Sequence, residues 1–252
     1  MLLIDDDKDT GIGPLKSCDE VIYDFDLMEG GGHAKGWLVP DELKDGVMKA
    51  LAVLQEEQPL LFAVGDGNHS LASAKALYEE EKARFGPGSE DTLPSRYALV
   101  EIVNLYDEAL EFEPIHRVLF DVDAPALMDA LKAEYPGTFE GKGEGHVIQY
   151  AYDGGEGFIT VPDPAAQLEV GTLQHFLDKY IKEKGIGIDY VHGDDITIEL
   201  GKKPGCMAFL LPAMDKHDLF KSVINDGALP RKTFSMGHAE DKRYYIEARK
   251  IK

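Results

Sequence analysis

The densest run of groups able to do chemistry in this 252-residue chain is Gly65-Asp66-Gly67-Asn68-His69-Ser70. It follows Leu60-Leu61-Phe62-Ala63-Val64, apolar at every position, and precedes Leu71, Ala74, Leu77 and Tyr78 at helical spacing. Glycines at the end of a strand let the backbone turn sharply and approach a ligand without interference from a Cβ. A helix starting just behind them aims unpaired N–H groups and a partial positive charge at the same place. Those are the physical requirements for holding a phosphate. In such a turn Asp66 suits a divalent cation such as Mg2+, which prefers carboxylate and phosphate oxygens. His69 suits proton transfer or donation to a phosphate oxygen. The plainer reading of the same residues is structural: Asn68 or Ser70 caps the helix, the glycines make the turn, and Asp66 bonds to backbone N–H groups. That reading leaves the imidazole of His69 without a task.

The turn needs an inner strand in front and a helix behind, and the pattern along the chain predicts both. The unbroken apolar run 60–64 predicts a strand covered on both faces, since a half-covered strand would alternate. Leu43, Val47, Ala50, Leu51 and Leu54, after Pro40-Asp41, predict one helix; Leu71, Ala74, Leu77 and Tyr78 predict the inward face of the next, closed by Gly86-Pro87-Gly88-Ser89. Residues 2–4, 23–27, 36–39, 97–103, 112–120, 206–211 and 244–251 read as strands, with Pro114 placing its strand at an edge or bulge. Residues 146–152 and 158–161, joined through Asp153-Gly154-Gly155, read as a hairpin. Residues 126–135, 171–184 and 215–225 read as helices, the second ended by Gly185. Residues 195–200 alternate like a strand yet have the length of one or two helical turns. Strands and helices intermix without strict alternation, which predicts an α/β or α+β fold with a mixed β-sheet, flanking helices, and the ligand turn at the C-terminal end of an inner strand.

Other residue groups carry weaker chemistry. Pro230-Arg231-Lys232-Thr233 concentrates positive charge where a loop could clamp a phosphorylated ligand, or simply pair with surface carboxylates. His116 and Arg117 are adjacent in a strand, so alternation sends them to opposite faces. Asp66, His69, His116 and His192 could assemble a metal-hydrolase centre, although they lack helical ligand spacing. Asp5-Asp6-Asp7-Lys8-Asp9 lacks the glycine and terminal glutamate of a calcium loop and reads as a solvated acidic turn. Gly30-Gly31-Gly32-His33 lacks the Lys-Ser/Thr ending of a P-loop and reads as a connection. Trp37 and the tyrosines read as core and rim.

Composition excludes whole classes of partner. Hydrophobic residues make up 44% of the chain, enough for a substantial core. Lys and Arg total 26 against 47 Asp and Glu, a formal net charge of -21. That balance opposes coating of a nucleic acid polymer, which requires clustered cations, and adsorption to an anionic membrane. A pocket for one phosphorylated small molecule survives it, because a few side chains and backbone donors suffice. Cys18 and Cys206 fit no metal or redox spacing and are expected as reduced thiols, with one long-range disulfide as the alternative. Met1-Leu2-Leu3-Ile4 runs straight into Asp5-Asp6-Asp7 without a signal-peptide pattern, and no apolar run approaches the roughly 20 residues needed to span a bilayer. The expected location is the cytoplasm.

Phe62-Ala63-Val64-Gly65-Asp66-Gly67-Asn68-His69-Ser70-Leu71-Ala72 resembles the central motif of the bacterial and archaeal family catalogued as domain of unknown function 1015. Tyr23-Asp24-Phe25-Asp26-Leu27, Phe112-Glu113-Pro114-Ile115-His116-Arg117, Asp189-Tyr190-Val191-His192-Gly193 and Pro230-Arg231-Lys232-Thr233-Phe234-Ser235-Met236-Gly237 are similar to its other motifs, in order along the chain. Members are usually longer at the N-terminus, so the resemblance implies one α/β domain over residues 1–252 forming the C-terminal portion of a longer protein. The central motif in turn resembles the phosphate-binding turn of free-serine kinases on the ParB/sulfiredoxin-like fold. By position Asp66, Gly67 and His69 match, whereas Asn68 stands where relatives often have His and Ser70 where they often have Arg. The resemblance implies a nucleotide- or phosphometabolite-binding protein, with the reaction of an ATP- or ADP-dependent small-molecule kinase. Asp66 would hold Mg2+, and Asp66 with His69 would act in catalysis. Gly65, Gly67, Asn68 and Ser70 would cradle the phosphate, and Arg231 and Lys232 would offset its charge. A non-catalytic binding or regulatory module is the alternative, supported by Ser70, and a metal-dependent hydrolase the third.

Overall fold

The computed structural model describes residues 1–236 and 246–250. Its contacts divide into two compact units, Met1–Leu110 with Ala239–Lys252, and Glu111–His238. The architecture is mixed α/β, with both parallel and antiparallel strand pairs.

In the first unit, β1 (Leu2–Ile4) lies in a three-stranded sheet, antiparallel to β4 (Ala63–Val64) and parallel to β5 (Ile102–Asn104). A separate hairpin joins β2 (Val21–Asp26) to β3 (His33–Trp37). Helix α1 (Asp41–Glu57) buries Leu51 and Leu54 against Ile4, with Leu61 and Phe62 packed alongside. Helix α2 (Asn68–Phe85) ends at Gly86, whose φ of 82° is natural only to glycine. Two strand expectations shrink. The apolar run 60–64 yields only Ala63–Val64, and this short strand lies at the sheet edge with Val64 exposed, so it is not an inner strand. An all-apolar run announces burial by some neighbour, but here loop packing on α1 covers Leu61 and Phe62 in place of strands on either side. Of residues 97–103, only the last two join β5, and Tyr97, Leu99 and Val100 are exposed. The expected strand 244–251 is irregular over 246–250, and its remainder lies outside the described residues.

The acidic turn after β1 is solvated at Asp7 and Lys8 as expected, but not at Asp6. Asp6 is buried: its Oδ2 accepts the Gly11 N–H at 2.7 Å and its Oδ1 the Thr10 hydroxyl at 3.1 Å. The amide of Asn104 donates to the Asp6 carbonyl at 2.9 Å, locking the loop to β5. Carboxylates with local backbone donors organise turns, and this one is consumed in doing so.

The second unit is built on a six-stranded antiparallel sheet in the order β11 (Gly187–Val191), β7 (His116–Phe120), β12 (Cys206–Leu210), β9 (His146–Tyr152), β10 (Gly155–Val161) and β8 (Phe139–Glu140). Helices α3 (Ala124–Glu134) and α4 (Glu169–Lys184) cover one face, where Leu119, Met207, Phe209, Leu127, Leu173 and Leu177 form the core. The expected 112–120 strand is broken at Ile115, and β6 (Phe112–Pro114) instead pairs with β13 (Phe234–Met236), Phe112 stacking on Phe234 at 4.1 Å. Proline cannot donate to a central ladder, so the chain leaves the main sheet there. Residues 194–201 resolve as helix α5 (Asp194–Gly201), and α6 (Asp218–Asp226) follows. Cys18 and Cys206 are free thiols, one in each unit.

Alternation along β7 separates His116 and Arg117 as expected. Arg117 turns to the α4 face and is fully buried, donating from Nε to Gln174 Oε1 at 3.1 Å and from Nη1 and Nη2 to the carbonyls of Ile115, Lys232 and Arg231 at 2.5, 2.9 and 3.3 Å. Burial pulls its pKa down to about 10, still protonated at neutral pH. His116 turns to the α5 face, also buried. The Leu211 N–H, a donor only, points at Nδ1 at 3.1 Å, so the proton of a neutral ring sits on Nε2 and faces Asp194 Oδ1 at 2.9 Å. Helix α5 approaches the sheet closely at Gly201, where a Cβ would stand 2.5 Å from Ala208 Cβ and 2.7 Å from the Ala151 carbonyl oxygen.

Gly201→Ala is expected to destabilise the protein by about 1–3 kcal/mol through overpacking, read as a lower urea midpoint by circular dichroism. Burial also holds His116 and His146 below the ordinary imidazole value. As pH falls from about 6.5 the unfolded chain therefore takes up protons that the folded unit resists, and stability declines. His116→Asn, which keeps an acceptor for the Leu211 N–H, is expected to flatten part of that decline between about pH 6.5 and 5, with His146 carrying the rest. An unaltered slope in urea titrations across this window refutes the assignment.

Candidate functional site

The Asp66 turn starts where β4 leaves the sheet. Gly65 N–H still reaches the Met1 carbonyl at 3.2 Å, extending the edge pairing. Gly67 then adopts φ 87° and ψ 20°, a left-handed conformation that a side chain would strain. Its carbonyl accepts the Leu71 N–H at 2.9 Å, the first bond of α2. The structural reading of the turn holds for Asp66, whose Oδ1 accepts the Gly67 N–H at 2.8 Å. It fails for Asn68 and Ser70: the N-cap position is Gly67, and no side chain caps the helix. Among the described residues, the N–H groups of Asn68, His69 and Ser70 have no protein acceptor.

The other helices treat their first turns differently. Helices α1, α4, α5 and α6 place Asp or Glu in the first turn, and α3 is capped by Asp123, which accepts the Ala126 N–H. The first turn of α2 has neither a carboxylate nor a capping side chain, in a chain where acidic residues outnumber basic ones 47 to 26. Carboxylates near a helix start stabilise it through the macrodipole. Here that positive end is left exposed.

The turn opens on a cavity of about 310 Å³ within the first unit. Asp66, Gly67 and Ser70 line its polar end, and Leu71, Leu99 and Val100 contribute to an apolar floor. The face of α2 expected to point inward is therefore not core: no α2 residue is buried, and Leu71, Ala74 and Leu77 border this groove. Asn68 and His69 are exposed, and neither lines the cavity with its polar end. The sequence reading missed a cation that does. Arg249 lines the groove, donates from Nη1 to the Tyr97 carbonyl at 2.8 Å and lies over the Tyr97 ring at 5.3 Å. No local motif marks it, since its place depends on contacts 152 residues apart in sequence.

The remaining candidates sit in the second unit. Arg231 donates from Nε to the Tyr190 hydroxyl at 2.9 Å and lies over that ring at 5.5 Å. Lys232 is exposed with φ 58°, and both residues' carbonyls are held by Arg117. His192 is exposed, and Gly237, the last residue of the Pro230 motif, lies outside the described residues. Among the described residues, no three His, Cys, Asp or Glu side chains gather as metal ligands, so Asp66, His69, His116 and His192 do not form the hydrolase centre. No helix among the described residues is long and apolar enough to cross a membrane.

No curated protein matches the chain. Among solved structures, a conserved hypothetical protein from Pyrococcus furiosus aligns with a TM-score of 0.47 and 18% identity, covering 69% of each chain. A free serine kinase in complex with AMP aligns with a TM-score of 0.47 and 16% identity over 69% of this chain and 67% of its own. A mutant of a free serine kinase in complex with ADP aligns with a TM-score of 0.48 and 15% identity over the same shares. The family match extends over residues 1–181, including the Asp66 turn and the His116-Arg117 stretch and stopping before Asp189 and Pro230. With most of its length matched, this chain belongs to the family described as protein of unknown function (DUF1015).

Proposed function

We propose that this chain binds the phosphate of a nucleotide such as ADP or ATP, or of another phosphorylated small molecule, at the start of α2. The observation that carries the reading is the set of three unpaired amides at Asn68, His69 and Ser70, on a first turn free of carboxylates. Gly65 and Gly67 keep the approach clear of side chains, and the Ser70 hydroxyl adds a donor at the cavity edge. The apolar floor at Leu71, Leu99 and Val100 suits the body of the ligand, and Arg249 replaces Arg231 and Lys232 as the proposed source of countercharge. Arg231 is already engaged with Tyr190, so the reading does not draw on it.

Asp66 is the awkward member, because a carboxylate beside a phosphate repels it unless a cation intervenes. One exposed carboxylate together with phosphate oxygens and water is an ordinary Mg2+ donor set, so Asp66 fits that ion, which would neutralise charge between the two. A kinase reading adds His69 as the acid–base group. A second reading, a binding module without turnover, is favoured by Ser70, which offers no guanidinium for the transferred phosphoryl group, and by the absence of His69 from the cavity lining.

ADP with Mg2+ is expected to raise the melting temperature, by the equivalent of about 2.7 kcal/mol when ligand stands at 100 times its Kd. Ser70→Arg is expected to tighten ADP binding about tenfold, or roughly 1.4 kcal/mol, and Asp66→Asn to remove the Mg2+ dependence of binding. A nucleotide panel and inorganic phosphate that leave the melting curve unmoved would refute the anion site. Binding without turnover in both the wild type and Ser70→Arg selects the module over the kinase.

A further inference from the structure

We propose that the ligand held at the start of α2 is a nucleotide with a 6-aminopurine base, and that the main chain of residues 99–101 reads that base. The inference rests on the anion site proposed above and adds the other half of the ligand. It starts from an open strand edge inside the cavity of about 310 Å³. Residues 97–101 run into β5 without a turn or bend. In such a segment one residue turns its N–H and C=O to one side, and the next residue turns them to the other. The register of β5 against β1 fixes which side is which. Leu2 N–H donates to the Glu101 carbonyl at 2.7 Å, and Leu105 N–H donates to the Ile4 carbonyl at 2.9 Å, so the odd-numbered residues face β1. Tyr97 continues the series, because its carbonyl accepts from Arg249, which lines the cavity.

Leu99 lies between Tyr97 and Glu101, so its N–H and C=O turn to the same side. Neither has a protein partner among the described residues, and neither does the Glu101 N–H. Across β1 stands the Asp66 turn, where Gly65 N–H donates to the Met1 carbonyl at 3.2 Å. The open edge and the start of α2 therefore flank one strand and line one cavity. The walls between them are apolar, with Leu71, Ala74 and Leu77 from α2 and Val64 from β4. Water in such a slot finds few polar partners, whereas a flat heteroaromatic ring offers apolar faces to the walls and a polar rim to the main chain. Leu99 presents an acceptor and Glu101, two residues on, a donor. A 6-aminopurine matches that pair: its amino group donates to the Leu99 carbonyl, and its N1 accepts the Glu101 N–H. A 6-oxopurine carries the reverse, with O6 an acceptor and N1–H a donor, and leaves both main-chain groups unpaired.

The test is calorimetric titration of the intact chain, in the presence of Mg2+, with ADP, IDP and inorganic pyrophosphate. ADP and IDP differ only at position 6 and in the N1 proton that goes with it. ADP is expected to bind about tenfold tighter than IDP or more. In NMR spectra of the unaltered chain the Glu101 amide signal is expected to move with ADP and to stay in place with pyrophosphate. Glu101→Pro deletes that N–H and keeps the carbonyl that Leu2 uses, so it should bring ADP down to the affinity of IDP and leave IDP unchanged. If the variant fails to fold, the ligand series and the amide signal decide. Equal affinities for ADP and IDP, or an unmoved Glu101 amide in the ADP complex, overturn the base reading while pyrophosphate binding keeps the anion site. Absence of binding by all three overturns both.

Discussion

A helix cannot satisfy its own first amide protons, and in this chain that constraint separates one helix from the rest. Helix α3 meets it with the cap of Asp123, and α1, α4, α5 and α6, which have no side-chain cap, set carboxylates in the first turn against the positive helix end. Among the described residues, helix α2 has neither a first-turn carboxylate nor a capping side chain, and the Asp66–Gly67 bond lies one residue too early to serve the helix itself. The left-handed Gly67 makes this geometry reachable, and the short edge strand β4 makes it accessible from solvent. Edge placement leaves Ser70 at the border of a groove, with Asn68 and His69 exposed beside it.

The second unit solves a different problem with one strand. Consecutive residues of β7 send a histidine to one face and an arginine to the other, and each becomes the polar tie of its own layer. His116 joins α5 through Asp194 and the β12 end through the Leu211 amide. Arg117 joins α4 to the 231–232 loop, where Lys232 holds a positive φ that few non-glycine residues adopt. A left-handed lysine is sustained when its surroundings over-determine it, and two carbonyls pinned by one guanidinium do so.

Local signals were legible in the sequence wherever the cause was local. The glycine turn, the stop at Gly185 and the hairpin around Asp153-Gly154 follow from the conformational limits of single residues and are present, whereas the expected single edge strand 112–120 splits after Pro114 into β6 and an inner β7. The opposite facing of His116 and Arg117 follows from strand geometry alone. What could not be read depended on which segments meet. The run 60–64 was apolar because α1 covers it, not because strands flank it. The amphipathic stripe of α2 borders a groove instead of a core, because periodicity marks an apolar face without saying what lies opposite. Asp6 was hidden by its acidic neighbours, and Arg249 by its distance in sequence from Tyr97.

The distribution of thiols has a practical corollary. Cys18 belongs to the first compact unit and Cys206 to the second, both unpaired and both partly open to solvent. The chain is thus already dressed for site-selective dye attachment, one fluorophore per body, without introduced handles. Energy transfer between the two labels would give a ruler across the molecule, read in the presence and absence of each candidate ligand.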